Sequence, residues 1–210
     1  MKIADLETKE RIMKVARVLF ANLGYEGASI REIAKSAEVN VASVNYYFSS
    51  KENLFLEVLK SGYIECSSKM KSLMLKNNGN LENTLVDFFR YFLENSHDLL
   101  SHFKMILSPQ HSHYLVSQGT EDGPFGPPGG MIIAETLKKE CPHCTDEDLH
   151  WALKTLFSHV THLSLIHSSC IRAHHKIPYS DETDLEKSIR RLTGMVLSEI
   201  KHPQHSPNNL

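Results

Sequence analysis

SIREIAKSAEVNVASVNYYFSSKENLF, residues 29–55, decides the fold, because three helix-start signals crowd into it. Ser29 stands three residues before Glu32, the spacing of a capping box in which each side chain satisfies the other's backbone amide. Asn40 directly precedes VASVNYYF, where its carboxamide oxygen can take an amide of a new first turn. Ser49 and Glu52 repeat the capping-box spacing and predict a third helix start ahead of ENLFLEVL. Between caps, Ile30, Ile33, Ala34 and Ala37 follow helical spacing, as do Val41, Val44 and Phe48, so each short helix has one inner face.

Working outward, Ile12, Val15, Ala16, Leu19, Phe20 and Leu23 form a helical apolar stripe that Gly24 closes. Helices as short as those of residues 30–48 are marginal alone, so this stripe is expected to cover Ile33, Val39, Val44 and Phe48. A three-helix head results. With Val44 and Phe48 turned inward, the second short helix presents Val41, Ala42, Ser43, Asn45, Tyr46 and Tyr47 outward or in its first turn. These side chains are short or planar and include no long acid. Such a face can enter a DNA major groove about 12 Å wide, and its hydroxyls can bond phosphate oxygens. Lys51 adds a positive charge in the first turn of the next helix, whose free amides already favour phosphate. The competing reading makes Tyr46 and Tyr47 packing aromatics and Asn45 a solvated surface residue.

Residues 8–60 resemble the N-terminal DNA-binding domain of the TetR (tetracycline-repressor-like) family of bacterial transcriptional regulators. The likeness is carried by a first helix ending in Gly24-Tyr25 and by the stretch quoted above. The family's pattern there is a hydroxyl residue, Ile-Ala, Ala-Gly-Val, a Tyr-x-x-Phe stretch and a lysine. The resemblance implies that Ser29, Tyr46, Tyr47 and Lys51 hold phosphates while Arg31, Val41, Ala42, Ser43 and Asn45 face base edges. Two departures stand out. Glu38 occupies the turn position of the family's glycine, which asks a glutamate for a costlier backbone geometry. Asn45 stands where many relatives carry tyrosine, and an asparagine there can pair bidentately with adenine.

Beyond the head, Leu54, Val58 and Leu59 carry a helix toward Met70 and Met74, until Asn77-Asn-Gly-Asn80 breaks it. Further helices are expected over 81–94, with Leu85, Phe88, Phe89 and Phe92 inward, over 98–107, and over 131–140. Thr145 with Asp148 opens a long one to about His167, and Asp181 or Asp184 opens the last. Nothing reads as a strand, so the class is all-α. The expected division is a helix-turn-helix DNA-binding domain over 1–50, a helical effector-binding and dimerisation domain over 51–202, and a disordered tail over 203–210. Half of the ten glycines, with three prolines, lie between Gly119 and Gly130, which predicts a long irregular loop.

Composition fits this picture. Residues 1–76 carry twelve Lys and Arg against nine Asp and Glu, or +3, so with a net charge of −2 the remainder carries −5. That is the sign expected of a DNA-binding head on an acidic body. Four cysteines and no apolar signal segment suggest reduced thiols and a cytoplasmic setting, and no run approaches a membrane span. No His-Glu-x-x-His, Gly-x-Ser-x-Gly or phosphate-cradling glycine loop appears, so neither an enzyme nor a cofactor is expected. All thirteen histidines lie at or beyond His97. His159 with His162, and Cys141 with Cys144, could each give zinc two of its four ligands, but no second pair completes either set, and no metal site is expected.

Trp151, Leu156, Val160 and Leu163 on one long helix and Ile189, Leu192 and Val196 on the other give more apolar surface than one partner helix needs. By the resemblance they would join a twin chain in a four-helix bundle, setting two heads about 34–36 Å apart on a palindromic operator. The resemblance also places a small-molecule effector in the C-terminal domain, where Phe88, Phe92, Phe103, Leu107 and Phe157 are candidate liners. The expected function is a dimeric, ligand-responsive repressor of double-stranded DNA operators. A metal- or thiol-responsive regulator using the His- and Cys-rich C-terminal half is the alternative.

Overall fold

The computed structural model describes residues 3–106, 126–168 and 181–202. Leu107, most of the Gly/Pro-rich stretch and the tail from Pro203 lie outside the described residues. Within them the chain forms nine helices and no strand: α1 (Ile3–Gly27), α2 (Ile30–Ser36), α3 (Val41–Phe48), α4 (Lys51–Lys76), α5 (Leu81–Glu94), α6 (Ser96–Ile106), α7 (Gly130–Glu140), α8 (Asp146–Ser168) and α9 (Glu182–Lys201). The all-α expectation is met.

The described residues fall into two compact units. The first contains α1 to α3, α4 as far as Glu65, and α6 from His97. Its core is Ile12, Ala16, Phe20, Ile33, Ala34, Ala37, Val44, Phe48, Leu54, Phe55, Val58 and Met105. Phe20, Tyr25 and Phe55 pack ring on ring at 5.1 to 6.0 Å, two of the three contacts edge-on, as aromatic quadrupoles favour. The α1 stripe covers the short helices as expected, except that Leu23 is exposed.

Most expected caps are present. Ser29 and Glu32 form the full capping box, Asn40 accepts the Ser43 amide at 2.7 Å, and Asp181 accepts the Asp184 amide at 2.8 Å. Thr145 and Asp148 bond reciprocally at 2.9 and 3.1 Å ahead of α8. The expected Ser49–Glu52 box is corrected. Ser49 instead ends α3 with φ at 62°, and Ser50 caps α4 by accepting the Asn53 amide at 3.1 Å. At the break after α4, Asn78 and Gly79 take φ of 52° and 79°, left-handed values that asparagine and glycine tolerate best.

The second unit contains the rest of α4, α5 and α7 to α9. Here α5, α8 and α9 pack against one another and α7 packs on α8. Leu81, Leu85, Phe88, Phe89, Phe92, Leu149, Leu153, Leu156, Val160, Ile189 and Val196 are all at most 2 % exposed. Burial of this kind contributes about 1.5–3 kcal/mol for each large side chain. At the rim, Arg90 grips Glu186 with two hydrogen bonds of 2.7 and 2.8 Å, and Arg190 reaches Glu82 at 2.8 Å, tying α5 to α9. Among the described residues no helix is long and apolar enough to cross a membrane.

Candidate nucleic-acid interface

The outer side of α3 is built by subtraction. Val44 and Phe48 turn into the core, being 1 % and 3 % exposed, which leaves Val41, Ala42, Asn45 and Tyr46 on the surface. Tyr46 is 80 % exposed, its ring standing edge-on to that of Tyr47 at 5.1 Å. No carboxylate belongs to α3. The helix is fixed at its start by Asn40 and by the Ala37 carbonyl, which accepts from Arg11 Nε at 2.9 Å and so steadies the preceding turn.

Several side chains expected to meet DNA already have intramolecular partners. The Ser29 hydroxyl donates to Glu32 at 2.8 Å, and the Ser43 hydroxyl donates to Asn40 Oδ1 at 2.9 Å. Each retains lone pairs but has committed its proton. The Tyr47 hydroxyl donates to the Asp5 carboxylate at 3.2 Å and is half-buried. Removal from water, followed by the Asp5 charge, raises its ionisation above the ordinary tyrosine value. Lys51 Nζ donates to the Tyr25 carbonyl at 3.0 Å and sits 4.2 Å from the centre of that ring, which pins the start of α4 to the end of α1. Arg31, on α2, is exposed, and among the described residues no carboxylate pairs with it. The positions free to address a ligand are thus Arg31, Val41, Ala42, Asn45 and Tyr46. Sequence reasoning missed Asp5 and Arg11, whose partners lie 42 and 26 residues away. No local spacing signals such pairs.

A family model described as bacterial regulatory proteins, tetR family, matches residues 12–58, the stretch whose geometry has just been given. Over that stretch the chain matches the TetR family. It is 48 % identical over 64 residues to a probable HTH-type transcriptional regulator YttP of Bacillus subtilis (strain 168), an overlap of 30 % of each chain. It is 30 % identical over 111 residues to the HTH-type transcriptional regulator QacR of Staphylococcus aureus strain Mu50, covering 43 % of this chain and 59 % of that one. The chain therefore spans between about a third and three fifths of the length of these curated relatives. The whole fold resembles the crystal structure of a TetR-family regulator from Mesorhizobium loti, with a TM-score of 0.66 at 20 % identity over 94 % of this chain and 98 % of that one.

In this head, Glu38 bears the backbone cost anticipated for it: its φ is 55° in the turn between α2 and α3. The side chain is exposed and makes no compensating core contact. Glu38→Gly is expected to stabilise the head by ~1 kcal/mol, read as a higher urea midpoint at unchanged slope. A lower midpoint would show that the turn gains more from the side chain than it loses to strain.

The remaining expected sites are distributed as follows. Phe88, Phe92 and Phe157 come together in the second unit, with ring centres 4.4 and 6.5 Å from Phe88, whereas Phe103 belongs to the first unit and Leu107 lies outside the described residues. Of the residues expected at a dimer face, Trp151 is 45 % exposed and Leu192 is half-buried, but Leu156, Val160, Ile189 and Val196 are almost wholly buried within the chain, and Leu163 is half-buried. Trp151, Leu192 and Val196 line a groove of about 470 Å³ between α8 and α9. Met195, 60 % exposed, completes it and had no place in the sequence reading.

His159 donates to or accepts from Ser188 at 3.1 Å, and burial, then the neighbouring His162, lowers its ionisation. Among the described residues no group of three or more His, Cys, Asp or Glu is placed to hold a metal ion. Cys141 and Cys144 depart from expectation. They are joined as a disulfide and buried, not carried as reduced thiols, and the corner between α7 and α8 lies under the end of α9.

Proposed function

We propose that the chain is a ligand-responsive transcriptional repressor that binds a palindromic DNA operator as a homodimer and is released by a small molecule. The observation that carries the reading is the outer side of α3: an externally anchored helix with Asn45 and Tyr46 exposed and no acid along it. Small side chains at Val41 and Ala42 let the helix approach base edges, and Asn45 carries the donor and acceptor that adenine N7 and N6 require. The exposed Tyr46 hydroxyl supplies a sequence-independent contact to phosphate, and the exposed Arg31 is placed to reach base edges. Lys51 serves the same surface chiefly by fixing α4 to Tyr25.

One such head reads few base pairs, and two heads related by a two-fold axis read a palindrome. The Trp151–Met195 groove offers the apolar surface on which a second copy would close. The effector is assigned to the aromatic cluster of the second unit. It acts by binding the DNA-incompetent spacing of the heads more tightly than the competent one, since only that difference shifts the population.

Selection from random duplexes tests the DNA reading. The full chain is expected to return a two-fold-related motif, and Asn45→Ala to lose about tenfold preference at one base pair in each half-site, equivalent to ~1.4 kcal/mol. An unchanged motif bound with unchanged strength by the variant would remove Asn45 from base recognition. A monomeric mass at micromolar concentration alongside tight operator binding would remove the dimer.

A further inference from the structure

Both sulfurs of the Cys141–Cys144 pair face one backbone atom. In the linked pair Cys141 Sγ is 3.1 Å and Cys144 Sγ 3.8 Å from the Ile200 carbonyl oxygen, in the last turn of α9. Carbonyls of a final turn have no amide partner within their own helix, so a donor from elsewhere is valuable there. A thiol can donate a hydrogen to that oxygen, and a disulfide sulfur has none to give. The two oxidation states of the same pair therefore treat the end of α9 differently. Nothing else in the function argued above uses these cysteines.

We propose that Cys141 and Cys144 form a reversible dithiol–disulfide site, oxidised by hydroperoxides, that fastens the last turn of α9 when reduced and releases it when oxidised. The residues divide the chemistry between them. Cys144, 8 % exposed where Cys141 is fully buried, is the residue of the pair that a hydroperoxide meets first. Its sulfur attacks the peroxide, the O–O bond breaks, and a sulfenic acid forms at Cys144 with release of an alcohol or water. His143 Nε2 stands 3.4 Å from Cys141 Sγ and accepts its proton in the tautomer that leaves that nitrogen bare. The Cys141 sulfur then attacks Cys144, the S–S bond forms, the S–O bond breaks, and the departing hydroxide takes the proton from His143 as water. The balance is two thiols and one hydroperoxide giving one disulfide, one alcohol or water, and one further water.

In the reduced state the pair donates to the Ile200 carbonyl and so holds the last turn of α9. Ile200 also lines the Trp151–Met195 groove, so the state of the cysteines is carried to the edge of that surface. The proposal rests on the cysteine geometry, and a failure of the dimer reading would leave it standing.

The full chain, reduced with dithiothreitol and then treated with hydrogen peroxide, is to be followed by peptide mapping and by backbone amide exchange over residues 198–202. Peroxide is expected to give a Cys141–Cys144 linked peptide and about threefold faster exchange in that segment, both reversed by dithiothreitol. The Cys141→Ser/Cys144→Ser double variant keeps two hydroxyl donors but cannot be linked, and is expected to stay protected with or without peroxide. The Cys141→Ala/Cys144→Ala variant should exchange fast in both conditions. Failure of peroxide to link the pair, equal exchange in linked and reduced protein, or alanine variants as protected as the reduced chain would each overturn the proposal.

Discussion

Phe48→Ala is expected to cost the first unit about 3–5 kcal/mol, enough to unfold a large fraction of it at ambient temperature. Phe48 is the last residue of α3 and is 3 % exposed, so truncation leaves a cavity among core side chains and not a solvated gap. Lys9 Nζ lies 5.6 Å from the ring centre, so a cation–π contact is lost as well. Because α3 has only eight residues, it cannot persist by itself once its anchor is gone.

The chain carries its own means of checking this. Trp151 is the single tryptophan and belongs to the second unit, so its fluorescence reports that unit, while far-ultraviolet circular dichroism reports both. In Phe48→Ala the dichroism transition should split and its early part move to lower urea, with the fluorescence midpoint nearly unchanged. Sequence-specific DNA binding should vanish with the early transition. If both signals shift together, the two units melt as one cooperative body and the damage is not confined to the head.

Features set by neighbours along the chain were legible before any coordinates. Ser29 with Glu32, Asn40, Thr145 with Asp148, and Asp181 are caps whose partners lie three residues away, so spacing alone identifies them. Glu38 was legible because a missing glycine in a tight turn forces a positive φ on whatever replaces it. Ser49 misled because the same Ser-Ser run offers two capping registers. The chain used Ser50 for the cap, with Ser49 in the left-handed turn. Contacts closed by the fold were hidden. Lys51 and Tyr47 look like free phosphate ligands until Tyr25 and Asp5 arrive from α1. The apolar surplus of α8 and α9 reads along the sequence as a face for a twin chain, yet α8 has α5, α7 and α9 around it, and these neighbours bury Leu156 and Val160 within one copy. Cys141 and Cys144 were hidden for the same reason, since only the return of α9 covers their corner.

Gly62→Val is expected to destabilise the first unit by about 3 kcal/mol, although small-to-larger changes at a helical glycine commonly help. Gly62 is buried in α4, and a Cβ built on it would run into the imidazole of His102 on α6. The ring cannot retreat freely, because its Nε2 donates to the Leu59 carbonyl at 3.2 Å. Adding His102→Ala should return most of the loss, a coupling that independent sites would not show. The same ring makes the head sensitive to acid. Burial, aided by the Arg17 charge, lowers the ionisation of His102 below the ordinary 6.5, against the Leu59 carbonyl and the Glu65 and Asp98 carboxylates that favour the proton. The unfolded chain therefore binds a proton that the folded head resists, so stability is full above pH 6.5 and declines as pH falls from there toward the lowered folded value. His102→Ala removes that contribution, and its head should lose stability less steeply than the wild type over this window. Parallel slopes would mean that the imidazole gains as much from Glu65 and Asp98 on protonation as it loses to burial.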